Sequence, residues 1–363
     1  MISPMLFRTL RTAAFRNLSD KEIDTDAENV FLVGENGQGK SNFLEALYFC
    51  SYASSFRGSK DSDLARNGEQ DCSVSARFSG ALYDRLLIKI ERGKKSIFVD
   101  EKREDDRKAL LLVAPSIVFC HEDMDFVSGP PERRRWFFDQ TLSLCDPVYL
   151  EELRSYRRVL KSRNLILKDA FKGEQSSTLD VLDTQLIRHG LTLMEKRAEA
   201  AAEFSALFGP LYEKVSGISG ISIDYCPSWK SAAADELGNM LKQRRSLDIS
   251  LGTSLSGPHR DRYVFYRNGS DFSAKASTGQ RRLLALLLRI AQAARYTGIS
   301  GKRPILLLDD VLLELDPEKR KRFLEVMPEY DQAFFTFLPE EPYERYRRKD
   351  TLIYYVSGGE LNK

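Results

Sequence analysis

Val30-Phe31-Leu32-Val33-Gly34-Glu35-Asn36-Gly37-Gln38-Gly39-Lys40-Ser41 joins an apolar run to a glycine-rich loop, and Phe43 to Phe49 continue as an apolar helix. Four apolar residues bounded by glycine predict a strand buried on both faces, the kind found inside a parallel sheet. Gly34 to Ser41 has the eight-position spacing of a phosphate-binding loop, in the strand-loop-helix setting the motif requires. Its glycines let the backbone curl so that successive amides point inward, and the following helix adds the positive end of its dipole. Lys40 then neutralises phosphate charge and Ser41 ligates Mg2+, within a nucleotide-binding stretch that runs on to Asn42.

A phosphate site of this kind needs acids from a different strand. Ile305-Leu306-Leu307-Leu308-Asp309-Asp310 is the best candidate, an apolar run whose acidic end faces the ligand side of a parallel sheet. Asp309 is the expected Mg2+ partner, and Asp310 is placed to orient or deprotonate the attacking water. Ser277-Thr278-Gly279-Gln280 precedes a leucine-rich helix from Arg281 to Arg295. Taken alone it is a helix N-cap. In the order loop, helical insert, Ser-x-Gly-Gln, acidic strand end and Glu314-Leu315-Asp316, it matches the architecture of an ATP-binding-cassette ATPase, where this segment of one subunit caps the γ-phosphate held by another.

Around these motifs the chain divides in three. Strand-like runs (Val30 to Val33, Leu86 to Ile90, Ser96 to Val99) fill the N-terminal part, and long charged helices follow, Pro147 to Phe171 and Leu179 to Phe208 with Gly209-Pro210 as a stop. Strand signals return with Arg262 to Arg267, a turn at Asn268-Gly269, and Ala333 to Phe337. The expected fold is α/β, a P-loop NTPase of the ABC/SMC-head type with an inserted, mainly helical lobe. Residues 1–113 and 250–363 would form the ATPase head and 114–249 the helical lobe, so that both chain ends build one sheet.

The 363 residues carry 55 Lys and Arg against 53 Asp and Glu, so any phosphate-attracting surface must come from local clustering. No apolar run approaches the ~20 residues of a membrane span, and Met1 to Leu10 lacks the features of a signal peptide; a cytoplasmic location is expected. Cys50, Cys72, Cys120, Cys145 and Cys226 are scattered, which excludes a zinc finger and argues against a disulfide framework. Arg57, the run Arg133, Arg134, Arg135, and Arg154, Arg157, Arg158, Lys161 and Arg163 on one predicted helix are candidate DNA-phosphate contacts. Arg154, Arg158 and Lys161 share a helix face. The alternative is a solvated face paired with Glu151 and Glu152, with Arg133 and Arg135 tying the lobe instead. No aromatic platform for single strands stands out, which favours duplex binding.

The chain closely resembles the RecF family, the recombination-repair relatives of the SMC proteins. The resemblance covers almost the whole length and rests on Phe15-Arg16-Asn17, Gly34 to Ser41, Gly129-Pro130-Pro131, Arg133-Arg134-Arg135, Phe138-Asp139, Ser256-Gly257-Pro258-His259-Arg260-Asp261, Ser277 to Gln280, and Leu308-Asp309-Asp310 through Asp316. It implies an ATP-dependent homodimer that binds double-stranded and gapped DNA in repair, replication and the SOS response to DNA damage, and that helps load a recombinase with RecO and RecR. Slow hydrolysis would act as a release switch, and Asp310, one methylene shorter than Glu, fits slow chemistry. Thr336 would sense the γ-phosphate, and the segment Gly257 to Asp261, with Arg260, would line the dimer-facing nucleotide site. The rival reading is the ATPase subunit of a membrane transporter, which usually carries Glu after the Walker-type Asp.

Overall fold

A computed structural model describes residues 4–106, 110, 113–169, 176–312 and 315–363; Phe171 and Glu314 of the expected motifs lie outside the described residues. In chain order the elements are β1 (Leu6–Ala13), β2 (Glu22–Asp24), β3 (Asn29–Val33), α1 (Lys40–Tyr52), β4 (Cys72–Ser79), β5 (Arg85–Glu91), β6 (Lys94–Val99), β7 (Lys102–Glu104) and β8 (Ser116–Phe119). Helices α2 (Pro131–Cys145), α3 (Pro147–Asp169) and α4 (Ser176–Ser216) follow, then β9 (Ile221–Cys226), α5 (Ala234–Leu251), β10 (Arg262–Arg267), β11 (Ser270–Asp271) and α6 (Thr278–Ser300). The chain closes with β12 (Ile305–Leu308), α7 (Pro317–Glu325), β13 (Gln332–Phe337), β14 (Thr351–Ser357) and β15 (Glu360–Asn362).

Two compact units result, residues 1–123 with 292–363, and residues 124–291. The boundaries differ from those read off the sequence, for reasons of strand pairing. Strand β8 pairs parallel with β12 and so belongs to the first unit, whereas β10 pairs antiparallel with β9 and stays in the second.

The first unit holds a sheet of order β15-β14-β3-β13-β12-β8, parallel except for β15, so that the two ends of the chain do build one sheet. Strands β3, β8, β12 and β13 are buried at every position, as continuous apolar runs require. A second, antiparallel sheet of order β2-β1-β4-β5-β6-β7 alternates buried and exposed residues, one face inward. Helix α1 is apolar nearly all round because it is enclosed, with Leu44, Leu47 and Phe49 joining Val30, Leu307 and Phe334 of the parallel sheet and Leu10, Val74 and Ile88 of the antiparallel one in a single core. Gln332 closes the seam, accepting from Phe7 N–H at 2.8 Å and donating to the carbonyls of Phe7, Thr25 and Ala27.

In the second unit the helices α2 to α5 and the sheet β11-β10-β9 enclose a core that includes Tyr149, Tyr156, Leu186, Trp229 and Leu241. Gly209-Pro210 does not stop α4, which continues to Ser216. Proline costs a helix interior about 3 kcal/mol, but Phe208, Tyr212 and Val215 around it are fully buried, and their packing carries the helix through.

Candidate functional site

Strand β3 ends at the loop, and α1 begins at Lys40, with Gly37 and Gly39 at φ 79° and 119°, values that L side chains rarely adopt. The hairpin of β14 and β15 holds the loop from one side. Gly359 N–H donates to the Gln38 carbonyl at 2.8 Å and Gly358 N–H to Gln38 Oε1 at 2.7 Å. A Cβ on Gly359 would sit 1.8 Å from the Asn17 carbonyl oxygen, so only glycine allows this approach. Asn17 in turn accepts from Asn42 Nδ2 at 2.7 Å, which Arg57 meets from the other side, donating to Asn42 Oδ1 at 2.9 Å.

Lys40 is folded onto its own loop, with Nζ 2.5 Å from the Gly34 carbonyl and 3.1 Å from that of Glu35. Ser41 Oγ donates to Asp309 Oδ1 at 2.7 Å across 268 positions of sequence. Burial pushes the Asp309 carboxyl up to about 6, helped by the charges of Asp310 and Glu122 and opposed by Ser41 and Arg57. A hydroxyl and a half-buried carboxylate at this distance are hard oxygen donors that suit Mg2+, a cation that takes one or two protein oxygens and completes its shell with phosphates and water. Asp310 has φ 51°, a strained position for a residue other than glycine. Thr336 holds it there: Asp310 N–H donates to Thr336 Oγ1 at 2.8 Å, and the Thr336 hydroxyl donates to Asp310 Oδ1 at 2.7 Å.

These groups border a cleft of about 450 Å3 at the C-terminal ends of the parallel strands, lined by residues of the loop and α1 with Arg57, His121, Glu122, Asp309 and Asp310. Arg57, expected on DNA, lines this cleft. Ser55 Oγ accepts from Arg57 N–H and donates to Glu45, which folds the segment after α1 back toward the loop. The sequence pattern missed His121 and Glu122, although only Cys120 separates them from β8 and the C-terminal end of any parallel strand is where such groups gather. It also missed Glu45, a wholly buried carboxylate on α1 that Arg16 grips through two nitrogens at 2.9 and 3.0 Å.

Ser277 to Gln280 lie in the second unit at the exposed start of α6, where Gln280 N–H donates to Ser277 Oγ and Ser277 N–H to Gln280 Oε1, a reciprocal capping box. The cap leaves Thr278 and Gly279 uncovered at the positive end of a 23-residue helix.

The proposed arginines separate. Arg163 is wholly buried, bound to Asp183 at 2.6 Å and Asp248 at 2.7 Å, so it makes no phosphate contact. Arg134 spends its donors on the carbonyls of Phe126, Val127 and Tyr263, and Arg135 donates to that of Asp261, while Arg133 pairs with Asp125 at 3.2 Å. These three tie the second unit together. Arg158 and Lys161 are exposed on α3, half-buried Arg154 pairs with Glu151 at 3.5 Å, and Arg157 reaches Asp139 at 3.2 Å.

Most of the segment Gly257 to Asp261 also serves packing. His259 is held between the Tyr156 hydroxyl and the Ser254 carbonyl, and burial pushes its ring down to about 4. Asp261 and Asp139 are buried on opposite sides of Arg197, 2.9 and 2.8 Å away. Arg260 alone of this segment is exposed.

A glycine-rich loop beneath a parallel sheet, an acidic strand end bonded to its serine, an enclosed α1 and an antiparallel flank define an ATPase head of the ABC/SMC type. The family model for the RecF/RecN/SMC N terminal domain matches residues 6–356. The chain is 45% identical over 349 residues to the DNA replication and repair protein RecF of Treponema pallidum, covering 95% of this chain and 97% of that one, and 31% identical to RecF of Bacillus subtilis over 99% of this chain and all of that one. A solved structure described as the recombination mediator protein RecF-ATP in the RecFOR pathway superposes with a TM-score of 0.90 at 26% identity, covering 100% of this chain and 98% of that one. An Smc head domain from Pyrococcus furiosus shares the fold alone, at a TM-score of 0.55 and 16% identity. The chain belongs to the RecF family of DNA replication and repair proteins.

Proposed function

We propose that the chain is an ATP-switched DNA-binding protein of recombinational repair and replication-fork maintenance, in which two copies close around two nucleotides and then hold duplex DNA at gaps. The observation that carries this reading is the bond from Ser41 to Asp309 beneath a loop that Lys40 already spans. Loop amides from Gly34 to Asn42 and the Lys40 ammonium would bind the β- and γ-phosphates, with Arg57 adding charge from the cleft wall. Ser41 and Asp309 would hold Mg2+, which when bound neutralises charge on the phosphates. Asp310, clamped by Thr336, would orient the attacking water, and release of that clamp would report the γ-phosphate. Its strained backbone and short side chain fit slow hydrolysis used as a release switch.

Ser277 to Gln280 of a second copy would cap the γ-phosphate, which makes ATP the link between subunits. Arg154, Arg158 and Lys161 would contact the duplex backbone. Loading of a recombinase with RecO and RecR would be the task of the DNA-bound state, a reading supported by the RecFOR pathway named for the superposed relative. No helix among the described residues is long and apolar enough to cross a membrane. Sedimentation velocity with and without Mg2+–ATP tests the reading: a monomer that becomes a dimer only with nucleotide supports it, and one mass in both conditions rejects it.

A further inference from the structure

At the end of the parallel sheet opposite the nucleotide cleft, the segments that enter β3, β12, β13 and β14 border a pocket of about 490 Å3. Asn29, Arg303, Tyr330 and Arg348 stand at or just before the first residues of these strands. The apolar wall comes from Leu324 at the end of α7, Met327 and Pro328 beyond it, Phe335 of β13, and Tyr346. The rings are fixed in place. Phe335 stacks on Phe337 and Phe337 on Tyr346, at interplanar angles of 11° and 9°, and the Arg348 guanidinium lies 5.6 Å from the centre of the Tyr330 ring. Side chains already ordered lose little conformational freedom when a ligand enters.

Arg303, Arg345, Arg347 and Arg348 stand around the pocket against two carboxylates, Glu28 and Glu329. Three of the arginines sit in solvent-exposed pairs, Arg303 with Glu329 at 2.7 Å, Arg348 with Glu28 at 3.2 Å and Arg347 with Glu344 at 3.4 Å. Such pairs contribute little and give way readily. Arg345 is exposed, and among the described residues its guanidinium makes no hydrogen bond or ion pair. Asn29 supplies a second unspent group. It is 2% exposed, its Oδ1 accepts from the Tyr330 hydroxyl at 2.9 Å, and its Nδ2 donates to nothing. A buried donor left unpaired is costly, and a carbonyl oxygen entering here would satisfy it.

We propose that this pocket binds an acidic peptide of a partner protein, with one large apolar side chain against Met327 and Tyr346, flanking carboxylates on Arg345 and Arg348, and a main-chain carbonyl on Asn29 Nδ2. The surplus of cations selects an anion. Glu28 and Glu329 oppose the dense charge of a phosphate chain, whereas carboxylates on alternate residues of an extended peptide lie about 7 Å apart and meet the arginines one by one. The apolar wall rewards a side chain that leaves water there. The proposal does not rest on the nucleotide reading, since none of these residues lines the nucleotide cleft.

The test is fluorescence anisotropy of a labelled nonapeptide with Asp at alternate positions around a central Phe, against protein up to ~100 μM. Two further peptides carry Ala in place of Phe, or Asn in place of every Asp. The Phe peptide binds, and the other two bind roughly tenfold or more weakly. Arg345→Ser with Arg348→Ser weakens the Phe peptide about tenfold and flattens its salt dependence. Met327→Glu, which sets a carboxylate in the wall, abolishes binding, and Met327→Leu restores it. Melting temperatures stay unchanged in all three variants, and Lys40→Met binds the peptide as the unmodified protein does. No binding of the Phe peptide, equal binding of the Phe and Ala peptides, or full binding by Met327→Glu overturns the proposal. Displacement of the peptide by tripolyphosphate as readily as by unlabelled peptide assigns the pocket to a phosphate ligand and overturns it too. Peptide binding in a protein that shows no ATP-dependent duplex binding leaves this pocket standing while the proposed function falls.

Discussion

Asp309→Asn should stabilise the nucleotide-free protein while weakening its hold on Mg2+–ATP. The substitution preserves shape, and Asn Oδ1 still accepts from Ser41 Oγ, which donates at 2.7 Å. It removes a charge that burial, with Asp310 and Glu122 nearby, disfavours. A carboxyl raised from 3.8 to about 6 carries ~3 kcal/mol of penalty in its ionised form. Because the folded value exceeds the unfolded one, stability from this group is full below about pH 4 and is lost as pH rises to 6. The variant should therefore gain ~3 kcal/mol near pH 7.5, roughly 6–12 °C in the melting of the ATPase unit, and the gain should vanish near pH 4. Scanning calorimetry across that range reads it directly. A destabilised variant at pH 7.5, or a gain that does not change with pH, would refute the electrostatic account of this strand end.

Three further substitutions test other parts of the structure. Arg16→Met leaves the wholly buried Glu45 without its main partner and should cost ~3–5 kcal/mol in urea unfolding, most of it recovered when Glu45→Met is added. Gly359→Ala forces the β14–β15 hairpin away from Asn17 and Gln38, so calorimetric titration should show weaker ATP binding with Lys40 and Asp309 intact. His259, neutral in the fold with its pKa lowered from 6.5 to about 4, should make the second unit lose stability as pH falls from 6.5 toward 4. His259→Gln should flatten that slope in calorimetry; an unchanged slope would assign it to other groups.

The parallel sheet was legible because its strands are short apolar runs ended by glycine or acid, and such runs have one stable environment. Lys40, Ser41, Asp309, Asp310 and Thr336 come together in the first unit because the C-terminal ends of β3, β12 and β13 lie side by side. What the linear pattern hid was pairing at long range. The Arg16–Glu45 clamp spans 29 positions, and nothing in a helix interior marks Glu45 as buried rather than solvated. The same ambiguity misplaced Arg163, since a cation beside carboxylates in sequence reads alike whether it faces water or two buried aspartates.

The most direct test of the central claim is anisotropy of labelled duplex and gapped DNA against protein concentration, with and without Mg2+–ATP, beside Lys40→Met. Binding that requires nucleotide and disappears with Lys40→Met is the predicted result. Binding indifferent to ATP and to Lys40, or no binding at all, would separate the nucleotide site from DNA and contradict the account.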